Sequence, residues 1–131
     1  MIRALDTNII VDLLRGKDAN LAASYLERSP NDYAVPEMVR AELLFGAVLS
    51  SRPRENRAAV EKFLAPLRLL PFAGDAPVHW ADIRMALQSS GTPIGANDMV
   101  IAATARAAGC TLVTRNTSEF SRVPGLAVEV W

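Results

Sequence analysis

The chain has 131 residues, half of them apolar, and its 14 basic residues balance its 14 acidic ones. This length suits a single domain over residues 1–131, and the balanced charge excludes the strongly basic surface of proteins that coat nucleic acid. No apolar run is long enough to span a membrane, and the single Cys110 and the lack of a signal-peptide core favour the cytoplasm.

Apolar patterns and turn residues predict short strands that alternate with helices along the chain. The expected elements are strand 1–6, helix 9–14, helix 21–28, strand 32–35, helix 36–49, helix 55–67, strand or extended link 69–72, helix 76–89, helix 97–108, strand 110–114 and strand 126–130. Thr7 or Asn8 is expected to cap the first helix, and Gly16 suits its end. Pro36 is favoured as a first helical residue.

Strands separated by helices predict a three-layer α/β/α domain with a short, mainly parallel sheet. Functional sites in such sheets lie just beyond the carboxyl ends of the strands. Asp6 and Asn116 both follow predicted strands and are therefore candidate site residues. The alternative for either one is that it only begins a turn or caps a helix.

Glu42 falls inside the third predicted helix, among apolar residues. A helical wheel brings five such residues within about 60° of it: Met38, Val39, Phe45, Gly46 and Leu49. This pattern predicts a carboxylate at the centre of an apolar stripe, where an unpaired charge would be costly. Glu42 is thus expected either to bind a cation in a cleft or to form a structural salt bridge with an arginine.

Asp98 opens the alanine-rich helix, where the helix dipole alone would favour an acid. Its face continues through Ile101, Ala102 and Ala105, so Asp98 is expected to point along the side that packs inward. Convergence of Asp98 with Asp6, Glu42 and Asn116 would concentrate negative charge and require a cation. Oxygen ligands favour Mg²⁺ or Mn²⁺ over Zn²⁺, and the lone His79 excludes a mechanism that needs a histidine pair.

Four segments of the sequence occur in an order and spacing that resemble the PIN-domain nucleases. They are Leu5-Asp-Thr-Asn-Ile-Ile10, Arg40-Ala-Glu-Leu43, Gly95-Ala-Asn-Asp98 and Val113-Thr-Arg-Asn-Thr-Ser-Glu-Phe120. More narrowly, they are similar to the VapC toxins of bacterial toxin–antitoxin pairs. The similarity covers essentially the whole chain, including the turn at 122–125 and the end at Trp131.

The resemblance implies that Asp6, Glu42 and Asp98 form an acidic triad that holds Mg²⁺ or Mn²⁺ directly or through water. Asn116 lies where many relatives have a fourth acid. Glu119 either approaches the ion or is an ordinary solvated acid, and the second interpretation is favoured here. Two further residues match positions that support the acids or bind phosphate, with local turn hydrogen bonds as the alternative: Thr114 and Asn8.

The same resemblance implies an endoribonuclease that hydrolyses RNA, with transfer RNA as the favoured target class and a metal-activated water as the nucleophile. Asp6 and Asp98 are the expected direct ligands, Glu42 the residue that orients or deprotonates the water, and Asn116 a residue that holds water or phosphate. Arg115 is expected to offset the acidic pocket. Arg52, Arg54 and Arg57 either contact RNA or merely solvate the start of a helix.

The expected partner is a cognate antitoxin protein, which blocks the cleft and alone contacts DNA, in a complex that contains a toxin homodimer. The apolar helix surface near Ile9, Ile10, Leu13 and Leu14 offers a groove for an amphipathic antitoxin segment, although such residues more often belong to a core.

Two other functions are compatible with these residues. A catalytically inactive PIN-like module that binds RNA or protein is suggested by Asn116, but the three retained acids oppose it. An aspartyl phosphotransferase is suggested by Asp6 after a strand, but such enzymes usually carry a second acid where this chain has Asn8.

Overall fold

The computed structural model describes every residue from Met1 to Trp131 and contains one five-stranded sheet in the order β3-β2-β1-β4-β5. The strands are β1 (Arg3–Leu5), β2 (Tyr33–Pro36), β3 (Arg68–Leu70), β4 (Thr111–Val113) and β5 (Val128–Glu129). The helices are α1 (Thr7–Arg15), α2 (Ala19–Leu26), α3 (Glu37–Leu49), α4 (Pro53–Leu64), α5 (Ala76–Ser90), α6 (Ala96–Ala107) and α7 (Thr117–Phe120). All the strand pairs are parallel, as predicted, and the fold is of the expected α/β/α class.

The pairing of the central strand β1 determines where the polar residues that follow the strands lie. Leu5 of β1 pairs with Val113 of β4, and the backbone N–H of Asp6 donates to the Val113 carbonyl at 3.0 Å. The next residues, Asp6 and Thr114, therefore emerge side by side at the carboxyl end of the sheet. On the other side of β1, β2 ends at Pro36, so that α3 begins at the same edge.

Helix α1 begins immediately after β1, and its cap differs from the one expected. The side chain of Asp6 accepts a hydrogen bond from the Thr7 N–H, so Asp6 caps the helix and Thr7 and Asn8 already lie inside it. Gly16 ends the helix as predicted, in a left-handed conformation with φ of 67° that glycine adopts without strain.

Most of the apolar residues predicted to form a groove on α1 belong to the core, which was the alternative interpretation. Ile9 and Ile10 are fully buried in the core, and Leu13 packs against that core. Leu14 remains substantially exposed on this helix. The alternating burial follows from α1 packing on α2, α3 and α4, which covers most of its circumference.

The predicted apolar stripe around Glu42 on α3 is also wrong. The buried stripe consists of Val39, Leu43 and Ala47, whereas Phe45 is 62% exposed and Leu49 is 70% exposed. Glu42 lies at the edge of the buried stripe and is half-buried. Because α3 carries apolar residues around most of its circumference, helical periodicity alone could not tell which sector faces the sheet.

Other differences concern the ends of elements. Pro36 ends β2 and α3 starts one residue later, while α4 begins at Pro53 and stops at Leu64. The stretch expected to be a turn after β4 contains the four-residue helix α7. No helix is long and apolar enough to cross a membrane.

Buried residues anchor helix α6, whose first turn carries Asp98. Ile101, Ala102, Ala103 and Ala105 are all fully buried, and the helix packs on α5, β2 and β4. The small alanine side chains allow the helix backbone to approach its neighbours closely. This packing fixes the position of Asp98 in the first turn of α6.

Candidate active site

Asp6 lies at the carboxyl end of β1 and is 6% exposed. Its Oδ1 accepts the Thr7 N–H at 2.8 Å, and its Oδ2 accepts the Thr114 hydroxyl at 2.6 Å. Burial raises the pKa of Asp6 above its ordinary value, and the charge of Glu42 adds to this, although the two hydrogen bonds act in the opposite direction. Thr114 thus supports an acid, as predicted.

Glu42 reaches the same region from α3. The Thr7 hydroxyl donates to Glu42 Oε1 at 2.6 Å, and the Asn97 side-chain amide donates to Oε2 at 3.4 Å. The predicted alternative of a structural salt bridge to an arginine is wrong, because Glu42 forms no ion pair. A shallow cleft at this point is lined by Glu42 and residues 95–98.

The carboxyl groups of Asp98 and Glu119 interact, which raises the pKa of Asp98 and lowers the pKa of Glu119. Burial, this interaction and the charges of Asp6, Glu119 and Glu42 raise the pKa of Asp98 to about 7. The pKa of Glu119 is lowered, first by the interaction with Asp98 and then by the hydrogen bond from Asn116. The favoured interpretation of Glu119 as an ordinary solvated acid is therefore wrong.

Asn116 contributes to the site through its neighbours. Its backbone N–H donates to the Thr114 hydroxyl oxygen at 3.0 Å, and its side-chain amide donates to Glu119 Oε2 at 3.2 Å. Asn116 occupies the position where many relatives have a fourth acid. Its amide group thus binds the carboxylate of Glu119. This supporting role depends on α7, the short helix that the sequence patterns did not predict.

The donor set fits a hard divalent cation. Four carboxylates, two threonine hydroxyls and two side-chain amides supply oxygen atoms, with no cysteine or histidine among them. Burial and then the neighbouring acids raise the pKa of Asp98, and a cation would relieve the repulsion among these acids. No three carboxylates converge closely enough here to coordinate one ion directly, so full coordination requires side-chain rotation or bridging waters.

Several predicted residues lie outside this cluster. Asn8 is exposed and hydrogen-bonds none of the acids. The guanidinium of Arg115 binds Asp12 at 3.3 Å and Asp18 at 2.7 Å, so the prediction that it offsets the acidic pocket is wrong. His79 accepts a hydrogen bond from Arg106, a packing contact between α5 and α6.

The predicted basic group on α4 is exposed but separate from the acids. Arg52 pairs with Glu55 at 3.7 Å, which fits solvation of a helix start. Arg54 and Arg57 line a cleft against α3 that contains none of the acidic site residues. Their contact with RNA stays a prediction.

Two residues that support the site, Arg122 and Gly95, could not be identified from the sequence patterns. Arg122 donates to the Pro93 carbonyl at 3.0 Å, and its charge helps lower the pKa of Glu119. The backbone of Gly95 also contributes to the lowered pKa of Glu119. These contacts tie the loop before α6 to the segment around α7, and they depend on a tertiary arrangement that local sequence does not reveal.

The limited space beside Asp98 favours glycine at position 95. The backbone conformation of Gly95 does not require it, because a φ of −58° suits any residue. A Cβ atom at Gly95 would lie 3.3 Å from Asp98 Oδ2. We expect Gly95→Ala to displace that carboxylate and to lower the rate of phosphodiester cleavage about tenfold, with little change in melting temperature. The matched control is Gly46→Ala, where a Cβ meets no atom within 4 Å. Equal rates in both variants would contradict the expected displacement.

The parallel sheet, with Asp6 buried at the carboxyl end of its central strand, matches a known protein family. The family model for the PIN domain matches residues 3–126. The chain therefore belongs to the PIN-domain family.

Comparison with individual relatives places the chain in a subgroup of the PIN-domain family. The tRNA(fMet)-specific endonuclease VapC of Salmonella typhimurium is 33% identical over 127 residues, which covers 97% of this chain and 96% of the relative. Ribonuclease VapC2 of Rickettsia felis is 35% identical over 132 residues, which covers 100% of this chain and 98% of that relative. Within the PIN domains, the chain groups with the VapC ribonucleases.

Solved structures of such proteins superimpose closely on the chain. VapBC2 from Rickettsia felis bound to a DNA fragment from their promoter contains a chain with a TM-score of 0.91 and 33% identity, with coverage of 100% and 99%. DNA-bound VapBC from Salmonella typhimurium gives a TM-score of 0.92 and 32% identity, with coverage of 100% and 98%. Both are complexes of a VapC protein with its VapB partner.

Proposed function

We propose that this chain is the toxin of a toxin–antitoxin pair, a Mg²⁺- or Mn²⁺-dependent endoribonuclease that acts in the cytoplasm. The observation that carries the proposal is the hydrogen-bonded series Thr114–Asp6–Thr7–Glu42 at the carboxyl end of the sheet, which Asn97 connects to the first turn of α6 next to Asp98. Burial and the neighbouring acids raise the pKa of Asp98 to about 7. A site this rich in carboxylates suits a divalent cation and the phosphate groups that the cation attracts.

Each acid has a separate role in the proposed hydrolysis. Asp6 and Asp98 would hold the cation, and Glu42 would orient the attacking water and accept its proton. Glu119 supplies the fourth carboxylate, and Asn116 keeps it directed toward Asp98. When bound, the cation acts as a Lewis acid toward the phosphate and makes water more acidic. The expected products carry a 5′-phosphate and a 3′-hydroxyl.

The proposed substrate class is transfer RNA. Its support is the similarity to a relative that is named a tRNA(fMet)-specific endonuclease. Arg54 and Arg57, exposed on α4, form no ion pair and are available for backbone phosphates outside the acidic cleft.

The function is tested by incubating the purified protein with total RNA from a bacterial cell and sequencing the new 5′ ends. We expect discrete cleavage with Mn²⁺, and loss of cleavage with excess EDTA or in Asp98→Asn. Discrete ends in transfer RNA would support the substrate class, whereas discrete ends in other RNAs would reject it. Full activity in EDTA, or in a folded Asp98→Asn variant, would reject the metal-dependent mechanism.

The effect of Asn116→Asp tests the fourth acidic position. The new carboxylate would replace an amide donor that lies 3.2 Å from Glu119 Oε2, and the two like charges would repel. We therefore expect a lower melting temperature in EDTA and tighter Mn²⁺ binding by calorimetry, since the cation relieves the repulsion. Asn116→Ala, which loses the donor without adding charge, should not tighten Mn²⁺ binding. Equal Mn²⁺ affinity in wild type and Asn116→Asp would contradict this role.

We infer that an antitoxin segment binds the groove between α1, α3 and α4. Apolar residues line this groove, namely Val11, Leu14, Leu43, Ala59 and Val60, and Glu42 and Arg15 line it as well. An amphipathic helix with apolar residues toward the groove and a cationic side chain toward Glu42 would match this surface. The similarity to solved VapBC structures supports an antitoxin partner, and we propose that only the antitoxin contacts DNA.

Growth of a bacterial host tests the antitoxin partner. We expect arrest when this chain is expressed alone, and normal growth when the neighbouring open reading frame is co-expressed or when the chain carries Asp98→Asn. Leu14→Glu should keep the arrest but resist rescue, because it places a charge in the apolar groove. Equal growth under all these conditions, at confirmed expression, would reject the toxin assignment.

A toxin homodimer within the complex is the remaining proposal. Phe45, Val48 and Leu49 are exposed together on α3, and such a surface is typical of a protein contact. Light scattering on the purified toxin measures its mass directly, and Phe45→Glu should shift that mass to the monomer.

A further inference from the structure

Thr7 is the one residue that hydrogen-bonds both Asp6 and Glu42. Its backbone N–H donates to Asp6 Oδ1 at 2.8 Å, and its hydroxyl donates to Glu42 Oε1 at 2.6 Å. The first bond belongs to the cap of α1, whereas the second joins residues 35 positions apart. Thr7 therefore links the end of the central strand to the helix that carries Glu42.

Glu42 has few other constraints on its carboxylate. It lies at the edge of the buried stripe of α3, and its only other hydrogen bond is the 3.4 Å contact from Asn97. A glutamate side chain has three rotatable bonds and loses substantial rotamer freedom when it is fixed. The short bond from Thr7 is thus the main contact that selects one position for the carboxylate.

A hydroxyl is well suited to this task. It orients a carboxylate by donating a proton, yet it adds no positive charge that would repel a divalent cation, as an arginine or lysine would. Thr7 is also the first residue of α1, so no carbonyl of a preceding helical turn competes for its hydroxyl. The branched Cβ limits the side chain to few rotamers, which favours a fixed direction for the bond.

We propose that Thr7 is a positioning residue whose hydroxyl fixes the Glu42 carboxylate relative to Asp6 for RNA hydrolysis. This inference rests on the proposed function, because it concerns how Glu42 is presented to the water and phosphate. Thr7 need not touch the substrate or the cation. Its hydroxyl acts only through Glu42, so its contribution should vanish when Glu42 can no longer accept a proton.

The test compares Thr7→Val, which removes the hydroxyl at nearly constant shape, with Thr7→Ser, which retains it. Both are made in the wild type and in Glu42→Gln, and initial rates are measured with unfractionated transfer RNA and Mn²⁺. A hydrogen bond to a charged group predicts that Thr7→Val lowers kcat about 10- to 100-fold and changes KM by less than about threefold. Thr7→Ser should stay within about fivefold of wild type.

Two further measurements separate positioning from a general structural role. In the Glu42→Gln background, Thr7→Val should cause no further loss of rate, as expected for residues that act as a unit. Without any substrate, the ¹³C resonance of the Glu42 carboxyl carbon should move in Thr7→Val and stay near its wild-type position in Thr7→Ser. Thr7→Ala serves as the second hydroxyl-free variant if Thr7→Val lowers the melting temperature.

Three results would overturn the inference: wild-type rates in folded Thr7→Val and Thr7→Ala, an equal loss in Thr7→Ser, or a full additional loss in the Glu42→Gln background. An unchanged Glu42 resonance in both hydroxyl-free variants would also overturn it. If the wild type cleaves no RNA with Mn²⁺, the proposed function fails instead, and the carboxyl resonance still decides whether Thr7 holds Glu42.

Discussion

Replacing Asp6 by asparagine is expected to lower the rate of RNA cleavage by about 1,000-fold, because the several kcal/mol supplied by a bound cation depend on this carboxylate. The fold should survive. The amide oxygen can still accept the Thr7 N–H, and the Thr114 hydroxyl oxygen can accept a hydrogen bond from the new amide nitrogen. The loss should therefore arise from charge and not from unfolding.

Initial rates with transfer RNA and Mn²⁺, together with melting temperatures, measure this effect. Asp82→Asn is the matched control, since it makes the same change on the exposed surface of α5 and should leave the rate unaltered. A folded Asp6→Asn protein that retained more than about a tenth of the wild-type rate would argue against direct cation binding by Asp6.

The second large effect is expected for Phe120→Ala, which should reduce the free energy of unfolding by about 3 to 5 kcal/mol. Phe120 ends α7 and is fully buried in the core. Its removal leaves a cavity that a four-residue helix cannot fill by adjusting. Since α7 also carries Glu119, the variant should in addition lose the contact between Glu119 and Asp98.

Urea denaturation of the wild type and of Phe120→Ala measures the change in stability. Phe72→Ala is the control, because Phe72 is substantially exposed and lies outside the proposed dimer surface, so the same truncation should cost much less there. A comparable loss in both variants would argue against a specific anchoring role for Phe120. A loss below about 1 kcal/mol for Phe120→Ala would contradict its anchoring role.

The order of strands and helices could be predicted because each strand is a short apolar run bounded by turn residues, as in the segment that ends at Asp6. The orientation of α3 could not be predicted, because apolar residues occupy most of its circumference and only packing selects the sector of Val39 and Leu43. Helix α7 was missed because four residues are too few to show periodicity, and burial of Phe120 is a tertiary effect.

The acids of the site differ in how well the sequence predicted them. Asp6 was found by the rule that sites follow the ends of parallel strands, and the structure agrees with that reason. Glu42 was found from an apolar stripe that is mostly exposed, although the residue does lie at the site. Glu119 meets Asp98 only because two loops are tied together in the fold, and local patterns contain no trace of that contact.

Because β1 lies between β2 and β4, the site can assemble only late in the synthesis of the chain. The Thr114 hydroxyl that orients Asp6 is 108 residues further along the chain, and Glu119 follows it. A chain emerging from the ribosome exposes Asp6 and Glu42 early, but it lacks the central pairing partner and half of the acids until α7 has been synthesised. The site can therefore assemble only as the sheet closes around its first strand, after almost the whole chain has been synthesised.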